Sequence, residues 1–443
     1  MTGHHHPHAT YYPQTPNQIE ADPTPKDQAV YIPSVTPGFA MAIYAGQFKR
    51  ALPKGLAENA LNFLDPANRD FFHISHVMSS AGQALNQPRD CIITQRDRKA
   101  TRLIADSGGW QIAADKGRID PYKERGNILR WMERHADYAM TLDVPTGPVG
   151  KRSYRYTSFR DCLHHTIDHV DFFQRERTSP DLKLLNVLQG NNRHDADVWY
   201  DAVKGYRFEG FAFAGPLRRD LYEVCRRIIR MADEGQLQDK VWLHFLGTAD
   251  LETAVLLTAL QRTINASITD KLRISFDTST PFSMLGRCAA YTLPKLGDNS
   301  LSMGEATILN NHRYVGNPLP WPWPSPLGNM MTLADVCVDR DVTIDTAHDS
   351  LSNHLVAHHS LSALCWAVAL VNRVFSAEGV GQDHSIASHV GAAIEVINEV
   401  IQTGTEFSLA KNRGTFSHLR YYSNQEAGKQ STDIDGEDER PTF

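Results

Sequence analysis

The chain holds no run of about 18 apolar residues, so no membrane-spanning helix is expected. No basic-then-apolar leader opens it, which speaks against secretion. Cysteine is scarce: six in 443 residues (Cys91, Cys162, Cys225, Cys288, Cys337 and Cys365), with no C-x-x-C pair. That excludes a disulfide framework and points to reduced thiols in a cytoplasm. No G-x-G-x-x-G follows the first apolar segment, which weakens an open, doubly wound dinucleotide-binding sheet. Self-similarity at solenoid periods is absent. Strong charge of either sign is absent too: the net charge is −6. A nucleic-acid partner would therefore have to meet a local basic patch rather than a basic surface.

What is present is an ordinary globular balance, 41% hydrophobic and 22% charged. Residues 1–35 are rich in Pro, His and Thr and read as a flexible arm; His4, His5, His6 and His8 belong to this tail. The acid-rich residues 424–443 read as a disordered tail. Between them, apolar segments of strand length recur near 39–46, 72–78, 102–106, 138–143, 183–189, 210–215, 241–247 and 272–277, with helical spacing between. Near-continuous apolar strands alternating with helices imply a parallel sheet buried on both faces. Eight such units suit an α/β fold of the (β/α)8 TIM-barrel type, placed here over residues 36–315. A stiff loop, Pro318-Leu-Pro-Trp-Pro-Trp-Pro324, leads into a C-terminal helical subdomain over 316–423.

In such barrels the chemistry sits where the strands end. Five strands here end on carboxylate, amide or glycine: Asp106-Ser107-Gly108-Gly109-Trp110, Asp143, Gln189-Gly190, Gly215 and Asp277. A carboxylate can accept both donors of a guanine-type edge, N1–H and the exocyclic amine. A Gln amide and a backbone N–H beside a glycine can donate to its O6, because a missing Cβ admits close approach. Trp110 could add an apolar wall. A further carboxylate can attack an anomeric carbon, while a second one, kept protonated by burial and like-charged neighbours, protonates the leaving base. Plainer readings exist for each residue taken singly. Asp106 before Ser-Gly-Gly could cap a helix, and Asp143 before Val-Pro-Thr-Gly could form a turn.

The ordered set resembles the tRNA-guanine (queuine) transglycosylase superfamily. Asp106-Ser-Gly-Gly-Trp-Gln111 is similar to its D-S-G-G-[FY]-Q motif, Asp143-Val-Pro-Thr-Gly to D-E-C-x-P, and Val187-Leu-Gln189-Gly190 to V-Q-G-G. Gly210-Phe-Ala-Phe-Ala-Gly215 resembles G-[YF]-A-I-G-G, Leu246-Gly247-Thr248-Ala-Asp-Leu251 resembles G-x-G-T-P-E-D-L, and Phe276-Asp277 stands where F-D carries the nucleophile. The resemblance implies Asp277 as nucleophile and Asp106 as general acid/base. It implies Asp143, Gln189, Gly190 and Gly215, with Ser107, Gly108 and Trp110, as the base pocket. The activity implied is exchange of guanine in a polynucleotide for a 7-deazaguanine, with no cofactor needed for the chemistry.

Two departures steer the expectation. The tRNA enzymes hold a structural zinc on three cysteines and a histidine. Here only Cys337 remains, with His359 at a position resembling the family's histidine ligand, so a mixed zinc site on these two is a residual expectation. The segment after the family's nucleophile is also replaced, by Thr278-Ser-Thr-Pro-Phe282. These departures favour the DNA branch of the superfamily, which inserts bases such as preQ0 into DNA in bacteria and phages; tRNA is the alternative substrate, and a non-catalytic accessory subunit the alternative role. The cytoplasm of a bacterium or of a phage-infected host is the expected setting, and a homodimer stays open. A DNA base must leave the stack to reach the pocket. The basic, aromatic-interleaved run Lys151-Arg152-Ser-Tyr-Arg155-Tyr-Thr-Ser-Phe-Arg160 is the candidate clamp on the backbone. Gln95-Arg96-Asp97-Arg98-Lys99 precedes its strand and belongs at the opposite end.

Overall fold

Apolar stretches of four to six residues become strands because both of their faces find cover. The computed structural model describes residues 26–86, 90–109, 111, 120–298, 300–308, 314–337, 348–376 and 386–423. Eight parallel strands follow one another around a ring: β1 (Val30–Pro33), β2 (His76–Ser80), β3 (Arg102–Asp106), β4 (Tyr138–Met140), β5 (Lys183–Leu188), β6 (Gly210–Phe213), β7 (Trp242–Phe245) and β8 (Arg273–Thr278). β8 returns to β1 with Ile32 opposite Asp277. Between β1 and β2 the ring closes through a single bridge, Ser34 to Met78, reinforced by the Val35 N–H donating to Met78 O at 2.9 Å. The architecture is a (β/α)8 barrel followed by C-terminal helices.

The two-residue period of a strand sorts its side chains. In β8, Ile274 and Phe276 face the helices while Ser275 and Asp277 face the lumen. Val30, Ile32, Met78, Ile104, Met140, Leu185, Val187, Ala212 and Trp242 pack the interior as a core of their own. At the N-terminal end, Trp242 lies against Tyr138, with ring centroids 4.4 Å apart, and His76 lies 5.9 Å away. These rings floor the barrel.

The helices that follow the strands begin on side-chain caps. Ser80, Asp120, Ser158, Asn192, Asp220 and Asp250 each accept from a first-turn N–H, which typically contributes about 1 kcal/mol per cap. The long helices so started are α3 (Pro121–His135), α4 (Phe159–Glu176), α5 (Arg193–Val203), α6 (Leu221–Asp233) and α7 (Leu251–Ser267), preceded by the short α1 (Pro37–Ala45) and α2 (Ala81–Leu85).

Two expectations need correction. The segment near 39–46 is helix α1, not the first strand. Thr36 caps it, Pro37 occupies its first turn and Gly46 ends it at φ 61°. The first strand is Val30–Pro33, so the barrel begins inside the residues assigned to the arm; Val30 and Ile32 are fully buried. Residues 1–25, with the four histidines, and 424–443 lie outside the described residues. Second, an antiparallel hairpin, β9 (Ala289–Gly297) and β10 (Ser300–Thr307), stands between the barrel and the C-terminal helices α8 (Ser350–Val374) and α9 (Ser388–Thr403). One segment, Ser350–Val374, is long and apolar enough to cross a membrane by length and composition alone, and most of it is buried against the rest of the protein.

Candidate active site

The C-terminal ends of the strands bring together two clusters. The first is built on Asp277. Its side chain enters the lumen beside β7, nearly buried, and its Oδ1 accepts from the Gly247 N–H at 2.7 Å. His244 Nε2 lies 3.2 Å from the same oxygen, and His244 Nδ1 lies 2.7 Å from Ser275 Oγ. Ser275 Oγ in turn accepts from Trp242 Nε1 at 2.7 Å. An indole N–H can only donate, so the one assignment that satisfies every atom has the Ser275 hydroxyl donating to Nδ1 and Nε2–H donating to Asp277. Asp277 Oδ2 has no hydrogen-bond partner among the described residues. A column of three side chains, Trp242, Ser275 and His244, therefore holds one carboxylate oxygen and leaves the other to the lumen.

Two arginines shape the turn that supplies the Gly247 N–H. Arg218 donates to Gly215 O at 2.7 Å and to Leu246 O, and Arg219 donates to Gly247 O at 2.6 Å. Gly247 itself sits at φ 60°. The loop after β6 thus ties the end of β7 in place.

The second cluster is Asp143, Gln189, Gly190 and Gly215. Asp143 is buried, and that burial pushes its carboxyl up to about 6 against the opposing pull of the Gln189 hydrogen bond. Gln189 Nε2 donates to Asp143 Oδ2 at 2.8 Å, while Gln189 Oε1 is buried without a partner. The amide expected to donate to a ligand's O6 is therefore engaged by the carboxylate beside it. Gly215 (φ 70°) is needed for close approach: a Cβ there would stand 3.0 Å from Gln189 Oε1. Gly190 (φ 144°) is tighter, with a Cβ falling 2.5 Å from the Ala196 nitrogen.

Asp106 ends β3 and its Oδ2 accepts from the Gly108 N–H at 3.2 Å, so the local turn bond is real as well. Ser107 is buried, with its hydroxyl lacking a partner. A Cβ on Gly108 would lie 2.8 Å from the Gly82 Cα, and one on Gly109 2.3 Å from Asp143 O. The Ser-Gly-Gly loop is pressed between α2 and the Asp143 backbone, which links Asp106 to the second cluster. Trp110 lies outside the described residues.

The basic run follows β4 on this same end. Lys151, Arg152, Arg155 and Arg160 are exposed, and none forms an ion pair with another described residue. Arg155 lies over the Tyr156 ring, 5.9 Å from its centroid. The Gln95–Lys99 segment has a different role. Arg96 and Arg98 bind Asp137, at 2.8 and 3.3 Å, just ahead of β4.

His359, one of the two residues expected to hold zinc, has both ring nitrogens engaged. His359 sits between Ser325 Oγ at 2.8 Å and Tyr291 O at 2.9 Å. Satisfying both uses its N–H and its only lone pair, leaving nothing for a metal. Cys337 is buried on the 333–337 turn, and His358 is enclosed by Phe63, Phe71 and Phe72, with burial pushing it down to about 3. Among the described residues no group of three His, Cys, Asp or Glu is placed to hold a metal.

Sequence reasoning passed over His244, Ser275, Trp242, Arg218 and Arg219. The signal for the first three was present. In Trp242-Leu-His-Phe and Ile274-Ser-Phe-Asp277, alternation puts Trp242, His244, Ser275 and Asp277 on one face. No protein-family model matches this chain, and no curated protein matches it in sequence.

Proposed function

We propose that the protein is a DNA-guanine transglycosylase, exchanging guanine in DNA for a 7-deazaguanine of the preQ0 type. The observation that carries this reading is Asp277: a lumen carboxylate held through one oxygen only, at the barrel end that also gathers Asp106, Asp143 and Gln189. Attack of Asp277 Oδ2 on C1′ of the deoxyribose breaks the C1′–N9 bond, whose electron pair leaves with the base. Asp106, in its carboxylic form, gives that base its proton. The incoming base then attacks C1′, the C1′–Oδ2 bond breaks, and the proton from its N9 passes to Asp106. Two displacements retain the configuration.

Asp143 supplies acceptors for the guanine edge once Gln189 turns its amide from the carboxylate to the ligand's O6. Gly190 and Gly215 let the backbone close on the base, and Ser107 and Gly108 shape the Asp106 side. The exposed cations Lys151, Arg152, Arg155 and Arg160 would contact the phosphate backbone. No zinc enters the scheme.

Base exchange tests it. Duplex DNA carrying labelled guanine, or tRNA, is incubated with the protein and preQ0, and label release is followed. Release from DNA that requires preQ0 and is lost in Asp277→Ala supports the reading. Release only from tRNA assigns the tRNA activity, release without an incoming base assigns a hydrolase, and no release from either refutes transfer and favours an accessory role.

A further inference from the structure

The column Trp242–Ser275–His244 does more than fill the lumen. A carboxylate that attacks through one oxygen must later leave from the same carbon. Its second oxygen then carries the charge that returns. That oxygen is Asp277 Oδ1, and it receives two fixed donors, the Gly247 N–H at 2.7 Å and His244 Nε2 at 3.2 Å. Neither donor is free to turn away. His244 is fully buried and its far nitrogen is engaged by Ser275, which the Trp242 indole holds. The Gly247 peptide is pinned through its carbonyl by Arg219 and through the neighbouring Leu246 carbonyl by Arg218.

We propose that His244 is a positioning residue that, with the Gly247 N–H, forms a two-donor cradle for Asp277. The cradle selects Oδ2 as the attacking atom and speeds release of the carboxylate in the second displacement. The inference rests on the transglycosylase reading above. While the sugar is attached, Oδ1 is an ester carbonyl and the two donors hold it weakly. As the C1′–Oδ2 bond breaks under attack by the incoming base, the electron pair returns to the carboxylate and negative charge grows on Oδ1. Fixed donors aimed at a developing charge lower that barrier more than they stabilise the neutral ester. Losing the His244 donor should therefore strand the enzyme as its covalent adduct rather than prevent the adduct from forming.

The test uses the full chain, duplex DNA and preQ0, with turnover and the fraction of protein–DNA adduct surviving denaturation both measured. His244→Met is expected to lower kcat on the order of 100-fold while the adduct fraction rises. His244→Gln, whose amide N–H can reach the place of Nε2, is expected to recover most of the rate and return the adduct to its wild-type level. Merely loosened packing would lower both the rate and the adduct, and would not be rescued by Gln. Should His244→Met fail to fold, Ser275→Ala, which removes only the hydroxyl on Nδ1, carries the test: a smaller change of the same sign supports the cradle, and no change overturns it. Unchanged kcat and adduct in His244→Met also overturn it. Wild-type protein that neither exchanges base nor forms adduct overturns the transglycosylase reading itself, an outcome separate from a wild type that exchanges and a variant that matches it.

Discussion

Asp143→Asn should gain stability relative to the wild type as pH rises toward about 6, and be less active than the wild type above it. Burial raises the Asp143 carboxyl to about 6 from an ordinary value of 3.8. A shift of roughly two units corresponds to about 3 kcal/mol of preference for the neutral form. Because the folded state binds this proton more tightly than the unfolded chain does, its contribution is fully present below pH 4. It is lost as pH rises through about 6. Asparagine keeps the shape and one acceptor for Gln189, and it never ionises. Its amide brings a hydrogen-bonding cost of its own, but that cost does not vary with pH. The informative quantity is therefore the change in the stability gap between the two proteins across pH, in which all other titrating groups cancel. Paired melting curves from pH 4 to pH 8 should show the gap moving toward the variant by up to about 3 kcal/mol, with most of the movement between pH 4 and 6. Base exchange by the wild type should fall as pH drops through about 6, since a protonated Asp143 offers one acceptor fewer to the guanine edge. A gap independent of pH, or one moving toward the wild type, would refute the claim that burial burdens this carboxylate.

Other outcomes follow from the same geometry. Asp277→Asn should abolish both exchange and adduct while leaving the melting temperature within a few degrees of wild type; residual exchange would remove Asp277 from the chemistry. Changing Lys151, Arg152, Arg155 and Arg160 together to Ala should weaken duplex binding across all sequences. The slope of log affinity against log salt should flatten by up to about 3.6, read by fluorescence anisotropy, and an unaltered slope would place the DNA elsewhere. Gly190→Ala forces a left-region φ of 144° and a 2.5 Å contact with Ala196, so it should cost about 2–4 kcal/mol. Gly205→Ala, where a Cβ meets nothing within 4 Å, serves as the control.

Buried parallel strands announce themselves as apolar runs, and for that reason β3 to β8 stand within a few residues of their expected places. β1 does not, because Val30-Tyr-Ile-Pro33 is short and stops at a proline, while Phe39–Tyr44 is apolar on every side and reads equally as strand or buried helix. Only the Thr36-Pro37 start and the Gly46 stop tell them apart. The strand-end carboxylates were legible because Asp106, Asp143 and Asp277 each close an apolar run and recur together in order with Gln189 and Gly215. Their interactions were not: that Gln189 would spend its amide on Asp143, or that His359 would lie between Ser325 and Tyr291, depends on side chains distant in the chain. His244 was hidden by its setting, since a lone histidine inside an apolar strand is more often a satisfied core residue than a working one.

Barrels of this kind usually divide their labour, with stability at the end where strands begin and chemistry where they finish. The hydrogen-bonded column from Trp242 to Asp277 removes that division here. The indole that floors the barrel against Tyr138 is also the first donor in the series that reaches the lumen carboxylate. A substitution at Trp242 is thus judged twice, once for how it seals the bottom and once for what it does to the top. Phe or Leu would keep the seal and cut the column. Variation at this position is bounded by both ends of the barrel at once, and the floor can be redesigned for stability only with a side chain that still donates to Ser275.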